Sequence, residues 1–102
     1  MKWYEHPYWD EETHREFFAQ YRKAPPEVKG IGLIKQAEML ADHLQDEVLK
    51  AAESLLTLWI TKHFQEEQKI RVYQCLTKVY RRLGNKERAA YFNEELKTLA
   101  RK

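Results

Sequence analysis

Turn-forming residues are scarce in this chain: its 102 residues hold three glycines, three prolines and one serine. No stretch alternates β-branched and polar residues with the period of two that a half-buried strand requires, so an all-α fold is expected. The single cysteine, Cys75, cannot close an internal disulfide, and a reducing cytoplasm is the expected compartment. Long apolar runs are missing as well. The longest, residues 55–60, is interrupted by Thr57 and falls far short of the roughly 20 residues a membrane span needs. The opening Met-Lys-Trp-Tyr-Glu-His lacks the apolar stretch of a secretory signal. A soluble protein with no membrane segment is therefore expected. With 43% hydrophobic residues it can bury one core across residues 1–102 without disulfides or a structural metal.

The net charge is only +2, but it is unevenly spread. Residues 1–68 carry 8 Lys/Arg against 13 Asp/Glu, net −5, and residues 69–102 carry 10 against 3, net +7. Two oppositely charged ends can simply decorate solvated faces. They can also bring a basic end to an acidic partner, or copies together head to tail.

About five helices are expected. Asp10, followed by Glu11 and Glu12, suits the N-terminus of a first helix over residues 10–24, with Phe17, Phe18 and Tyr21 as its apolar face. Pro25 and Pro26 stop it. Pro26 and Glu27 then resemble a first turn, but Gly30 and Gly32 each cost about 1 kcal/mol relative to alanine within a helix, so the second helix is expected to fray before Ile31. Its stripe is Ile31, Ile34, Ala37, Leu40, Ala41 and Leu44. Asp46 is the expected N-cap of a third helix ending near Phe64, whose wide apolar arc predicts the most buried helix. A fourth helix carries Val72, Tyr73, Leu76, Val79, Tyr80 and Leu83; Gly84 and Asn85 turn the chain into a fifth with Ala89, Phe92, Leu96 and Leu99.

Within residues 72–92, an aromatic at Tyr73, Leu76 three later, Tyr80 four after that, Gly84 at the turn, then Ala89 and Phe92, resembles a tetratricopeptide repeat. The resemblance implies a small Ala89 where two helices cross closely, Tyr73 and Tyr80 buried above and below that crossing, and a left-handed Gly84. A degenerate upstream hairpin over residues 31–64 would put Ala52 in the place of Ala89, at a spacing of 37 residues rather than the family's 34. The resemblance therefore implies antiparallel hairpins, at 31–64 and 69–101, in a right-handed superhelix. The opening Trp-Tyr-Glu-His-Pro-Tyr-Trp-Asp is also similar to the start of some small bacterial repeat proteins.

No constellation points to catalysis, a cofactor or a metal. Ser54, the only serine, has no Gly-x-Ser-x-Gly around it. Cys75 reads as a packing residue rather than a nucleophile. Three glycines cannot build a phosphate-cradling loop. His6, His14, His43 and His63 fall at no metal-ligand spacing, and the nearest approach to a cluster, His6 with Asp10 and His14, reads as a cap with surface histidines. An enzyme is not expected.

Seven of the 13 aromatics lie in the first 21 residues. Residues 1–9, with Trp3, Tyr4, Tyr8 and Trp9, are expected to form an arm that lies across the helices and seals their open end. The competing expectation is a docking surface, since tryptophan and tyrosine concentrate at binding hot spots. In the repeat family the first helix of each repeat lines a concave groove, and the resemblance places Arg71, Gln74, Lys78, Arg81 and Arg82 there. Such grooves often grip acidic or carboxylate-bearing peptides. The full lysine and asparagine clamp is not reproduced, so only the charge logic carries over. The expectation is an interaction module, an adaptor or scaffold, for an acidic protein or peptide. The alternatives are a self-assembling structural protein or a nucleic-acid regulator, the last disfavoured because Tyr73 and Tyr80 are expected to be buried rather than exposed among the cations.

Overall fold

The structure, a computed structural model, describes residues 2–101. Met1 of the expected arm and Lys102 at the end of the expected domain lie outside the described residues. Five α-helices and no strand are present among those described. They are α1 (Glu11–Lys23), α2 (Pro26–Leu40), α3 (Asp46–Lys62), α4 (Lys69–Leu83) and α5 (Lys86–Ala100), with one 3-10 turn, Glu66–Gln68, leading into α4. Among the described residues no helix is long and apolar enough to cross a membrane.

The ends of the helices follow local chemistry. Asp10 sits in extended geometry and accepts from the Thr13 N–H, capping α1, and this bond holds its carboxyl below the usual carboxylate range. Ala24, extended before Pro25, ends α1 as proline sterics require. Gly84 closes α4 at φ 79°, and Asn85 at once caps α5 by accepting from the Arg88 N–H. The N-cap of α3 is Gln45 rather than Asp46; Asp46 and Glu47 instead place charge in the first turn, where the helix dipole favours it.

Consecutive helices pair: α2 packs along α3 and α4 along α5, while α4 also packs on α3 and touches α2. Ala89 is buried in the α4–α5 pair, and the Tyr73 and Tyr80 rings both lie on Phe92, at 5.0 and 5.8 Å between centroids. Tyr80 is buried and Tyr73 only half-buried, against the expectation that both would be enclosed. Ala52 is fully buried in α3.

Three further expectations for α2 and α3 are corrected. First, α2 does not fray before Ile31; it begins at Pro26 and runs through both glycines. Second, Leu44 does not continue its stripe. The helix ends at Leu40, and Leu44 is 77% exposed in the turn that follows. Third, the most buried helix is α2, with seven buried residues against six in the longer α3. One cause links the first and third. The N-terminal arm lies against α2, and the glycines admit aromatic rings: a Cβ on Gly32 would stand 2.6 Å from the Trp3 ring, and one on Gly30 would stand 3.2 Å from the His63 Cβ and 3.6 Å from Trp59.

The arm is fastened by hydrogen bonds as well as rings. The His6 N–H donates to Gln36 Oε1 at 2.9 Å, and Gln36 Nε2 donates back to the His6 carbonyl at 2.8 Å. One turn beyond α2, His43 Nε2 donates to the Pro7 carbonyl at 2.6 Å. Trp3, Trp9, Phe18 and Tyr21 surround the buried Phe17, which joins α1 to the core through the arm.

Candidate functional site

The five cations of α4, namely Lys69, Arg71, Lys78, Arg81 and Arg82, stand on a helix with no carboxylate of its own. Carboxylates reach them from elsewhere. Arg71 forks onto Glu38 of α2, with Nε–Oε2 at 2.7 Å and Nη2–Oε1 at 2.6 Å, and this bond raises the guanidinium's already high pKa. Lys78 pairs with Asp42, whose carboxyl is lowered chiefly by that bond. Arg82 reaches the carbonyls of Asp42 and His43, at 3.5 Å each, at the C-terminal end of α2 where the helix dipole favours a cation. Lys69 lies 3.8 Å from Glu66. Two cations of the basic last part of the sequence, Arg71 and Lys78, are thus paired across this seam with carboxylates of the acidic first part.

Grooves flank α4 on both sides. The groove toward α2, a cavity of about 320 Å³, is lined by Glu38, Ala41, Asp42, Arg71, Gln74, Cys75 and Lys78. The groove toward α5, about 370 Å³, is lined by Arg81, Gly84, Lys86, Ala89, Ala90 and Asn93. The structure therefore brings Arg71, Gln74 and Lys78 together, sets Arg82 one turn beyond Lys78 at the end of the same groove, and puts Arg81 on the other side. The five residues do not form one patch. Helical spacing shows why: Arg71, Lys78 and Arg82 recur at seven and four residues and share a face, from which Arg81 is turned by about 100° relative to Arg82.

Of the arm aromatics, Tyr4 is buried, and Trp3 and Trp9 pack on the core cluster. Tyr8 alone is left 44% exposed, its ring 5.8 Å from that of His43. A cleft of about 740 Å³ between the arm and α1, larger than the α4 grooves, is lined by Lys2, Trp3, Tyr4, His6, Glu16, Ala19 and Gln20.

Cys75 is buried, and desolvation, with the nearby Glu38 carboxylate adding to it, pushes its thiol up to about 12, the wrong direction for a nucleophile. Asp10 is engaged by Thr13, His6 is tied through its backbone to Gln36, and the His14 ring lies on Trp9 and Phe18. Among the described residues no group of three or more His, Cys, Asp or Glu side chains is placed to hold a metal. Sequence reasoning missed Gln36, Glu38, Asp42 and His43. The four-residue spacing of Glu38, on α2, and Asp42, just beyond its end, opposite Arg71 and Lys78 at seven, was the one pattern that could have suggested the pairing.

No protein-family model, curated protein or solved structure matches the chain.

Proposed function

We propose that the chain is a protein-interaction module, an adaptor or scaffold, that takes an acidic segment of a partner protein into the groove between α2 and α4. The observation that carries this reading is the carboxylate already there: Arg71 holds Glu38 by a bidentate fork, and Lys78 holds Asp42 one groove length away. Both pairs are solvent-exposed, and such pairs are worth only about 0–1 kcal/mol, so a partner's carboxylates can take their place at small cost. The succession of two helical hairpins, with α2 beside α4, supports the tetratricopeptide-like reading in which first helices line the binding groove. A cytoplasmic setting agrees with a lone cysteine enclosed among helices.

The test is binding of a fluorescein-labelled tetraglutamate peptide. Arg71→Glu with Lys78→Glu is expected to abolish binding and its salt dependence, while Arg81→Glu, facing the other groove, leaves most of it. Equal loss from both variants, or none from either, would remove the groove as the site.

A further inference from the structure

Most cations of the C-terminal hairpin already have an anion. Lys69, Arg71, Lys78, Arg88 and Lys97 stand beside the carboxylates of Glu66, Glu38, Asp42, Glu53 and Glu94 in turn, and Arg82 reaches backbone carbonyls. Arg81 and Lys86 differ. Both are exposed, and neither makes an ion pair among the described residues. They line one cavity, the groove of about 370 Å³ between α4 and α5, and no carboxylate lines it with them. A third polar group belongs to the same space. Lys86, Ala90 and Asn93 recur at four and three residues and share one face of α5, and all three line the groove. Asn93 is half-buried. The hydrogen bonds donated by α5 side chains run from Arg88 to Tyr80 and from Lys97 and Thr98 to Glu94, and leave the Asn93 amide without a protein partner among the described residues. The rest of the lining, Gly84, Ala89 and Ala90, is small and free of charge.

We propose that the α4–α5 groove binds a phosphate monoester together with the carbon group that carries it. Charge decides the chemistry. At neutral pH a phosphate monoester carries about −1.5 to −2, which matches two uncompensated cations, whereas a carboxylate carries one charge and leaves a cation over. A nucleic-acid strand, with a charge at every phosphate, calls for a row of cations, and beyond Arg81 and Lys86 the lining has none. The three polar side chains divide the work: Arg81 offers a planar fork to two phosphate oxygens, Lys86 a point charge, and Asn93 an amide donor to the third oxygen. The small floor keeps the groove open and gives the carrier's carbons the Ala89 and Ala90 methyl groups to lie on. Its volume falls within the roughly 300–1,000 Å³ usual for small-ligand pockets. The site lies on the opposite side of α4 from the groove proposed for the acidic segment and does not depend on that reading.

The test is a titration of the full chain at neutral pH followed by heteronuclear NMR, which observes the Gly84 and Ala90 N–H groups and the Asn93 side-chain amide directly. The probes are the acetylated and amidated tripeptides Gly-phosphoserine-Gly and Gly-Glu-Gly, with glycerol phosphate as a free monoester. Both phosphates are expected to shift these signals, and the phosphoserine peptide should bind about tenfold tighter than its glutamate counterpart. Whichever phosphate binds tighter identifies the source, a phosphorylated side chain or a free small molecule, and either result supports the site. Arg81→Gln with Lys86→Gln, at two exposed positions, should weaken phosphate binding at least about tenfold. Arg22→Gln with Lys23→Gln removes the same charge from the exposed end of α1 and should change it by less than about twofold. The proposal is overturned by phosphates that leave the three signals unmoved, by equal affinity for the glutamate and phosphoserine peptides, or by equal loss from the two double variants. Each of those results leaves the α2–α4 groove standing.

Discussion

The side-chain amide of Gln36 meets the backbone of His6 twice, accepting from its N–H at 2.9 Å and donating to its carbonyl at 2.8 Å. A residue inside α2 thereby acts as a strand-like partner for one residue of the arm, across 30 positions of sequence. Gln36 is wholly buried, and no buried side-chain nitrogen or oxygen among the described residues lacks a partner. The amide is thus fully used: it aligns the arm so that Trp3 falls on Gly32 and Tyr4 enters the core.

Replacing Gln36 tests this clamp. Gln36→Leu keeps the volume but leaves both His6 backbone groups without their partners, at an expected cost of about 2–4 kcal/mol. Gln36→Glu should cost at least as much, since a carboxylate cannot donate to the His6 carbonyl. Urea unfolding gives the stability change, and a red shift of tryptophan emission should accompany it as Trp3 gains solvent. A change below about 0.5 kcal/mol would mean that the arm is held by its rings alone.

Gly32 gives a prediction of opposite sign to helix propensity. On propensity, Gly32→Ala in the middle of α2 should stabilise by about 1 kcal/mol. The Trp3 ring, however, occupies the place a Cβ would take, with ring atoms at 2.6 and 2.8 Å, and Tyr4, Phe17 and Tyr21 restrict its retreat. Gly32→Ala is therefore expected to destabilise by about 1–2 kcal/mol. Thermal unfolding of Gly32→Ala with and without Trp3→Ala separates the two terms, because removing the ring should restore the propensity gain.

Much of this architecture was legible in the sequence because it depends on local chemistry. The Asp10 cap, the break at Pro25, the stripe of α4 and the left-handed Gly84 all follow from residues within a turn of one another. What was not legible depends on distant partners. A helix-breaking reading of Gly30 and Gly32 was reasonable until Trp3 and Trp59 filled the space. Gln36 looked like one more polar residue because its partner is a backbone. Leu44 fitted a periodic stripe that the chain had already left. Composition exposed the basic character of α4, yet only the fold revealed that Glu38 and Asp42 neutralise one side of it and that Arg81 faces the other.

His63 makes stability depend on pH. Its Nε2 lies 2.5 Å from the Tyr21 hydroxyl, and desolvation, aided by Lys29, lowers its pKa. A base lowered in the folded state binds its proton more readily when unfolded. Above the ordinary histidine value both states are neutral and nothing is lost; as pH falls below about 6.5 the unfolded state gains protons first and folding weakens. Unfolding free energies between pH 7.5 and 5 should decline, and His63→Phe should flatten that part of the decline. An unchanged slope in His63→Phe would assign it to other groups.

Glu38 and Asp42 stand where the proposed partner's carboxylates would bind, so they compete with it. Glu38→Gln and Asp42→Asn together keep shape and remove both charges, freeing Arg71 and Lys78. Each exposed pair is worth about 0–1 kcal/mol, so the double variant should lose at most about 2 kcal/mol of stability. The same energy returns on binding as a gain in affinity for tetraglutamate of up to about fivefold for each pair broken. The gain should be largest at low salt, where unscreened cations attract the peptide most strongly. It should vanish when Arg71→Glu and Lys78→Glu are added, because the freed cations are then gone. Fluorescence anisotropy across a salt series measures all three effects. Unchanged affinity in the double variant would mean that these carboxylates are surface decoration and that the acidic segment, if bound, lies elsewhere on α4.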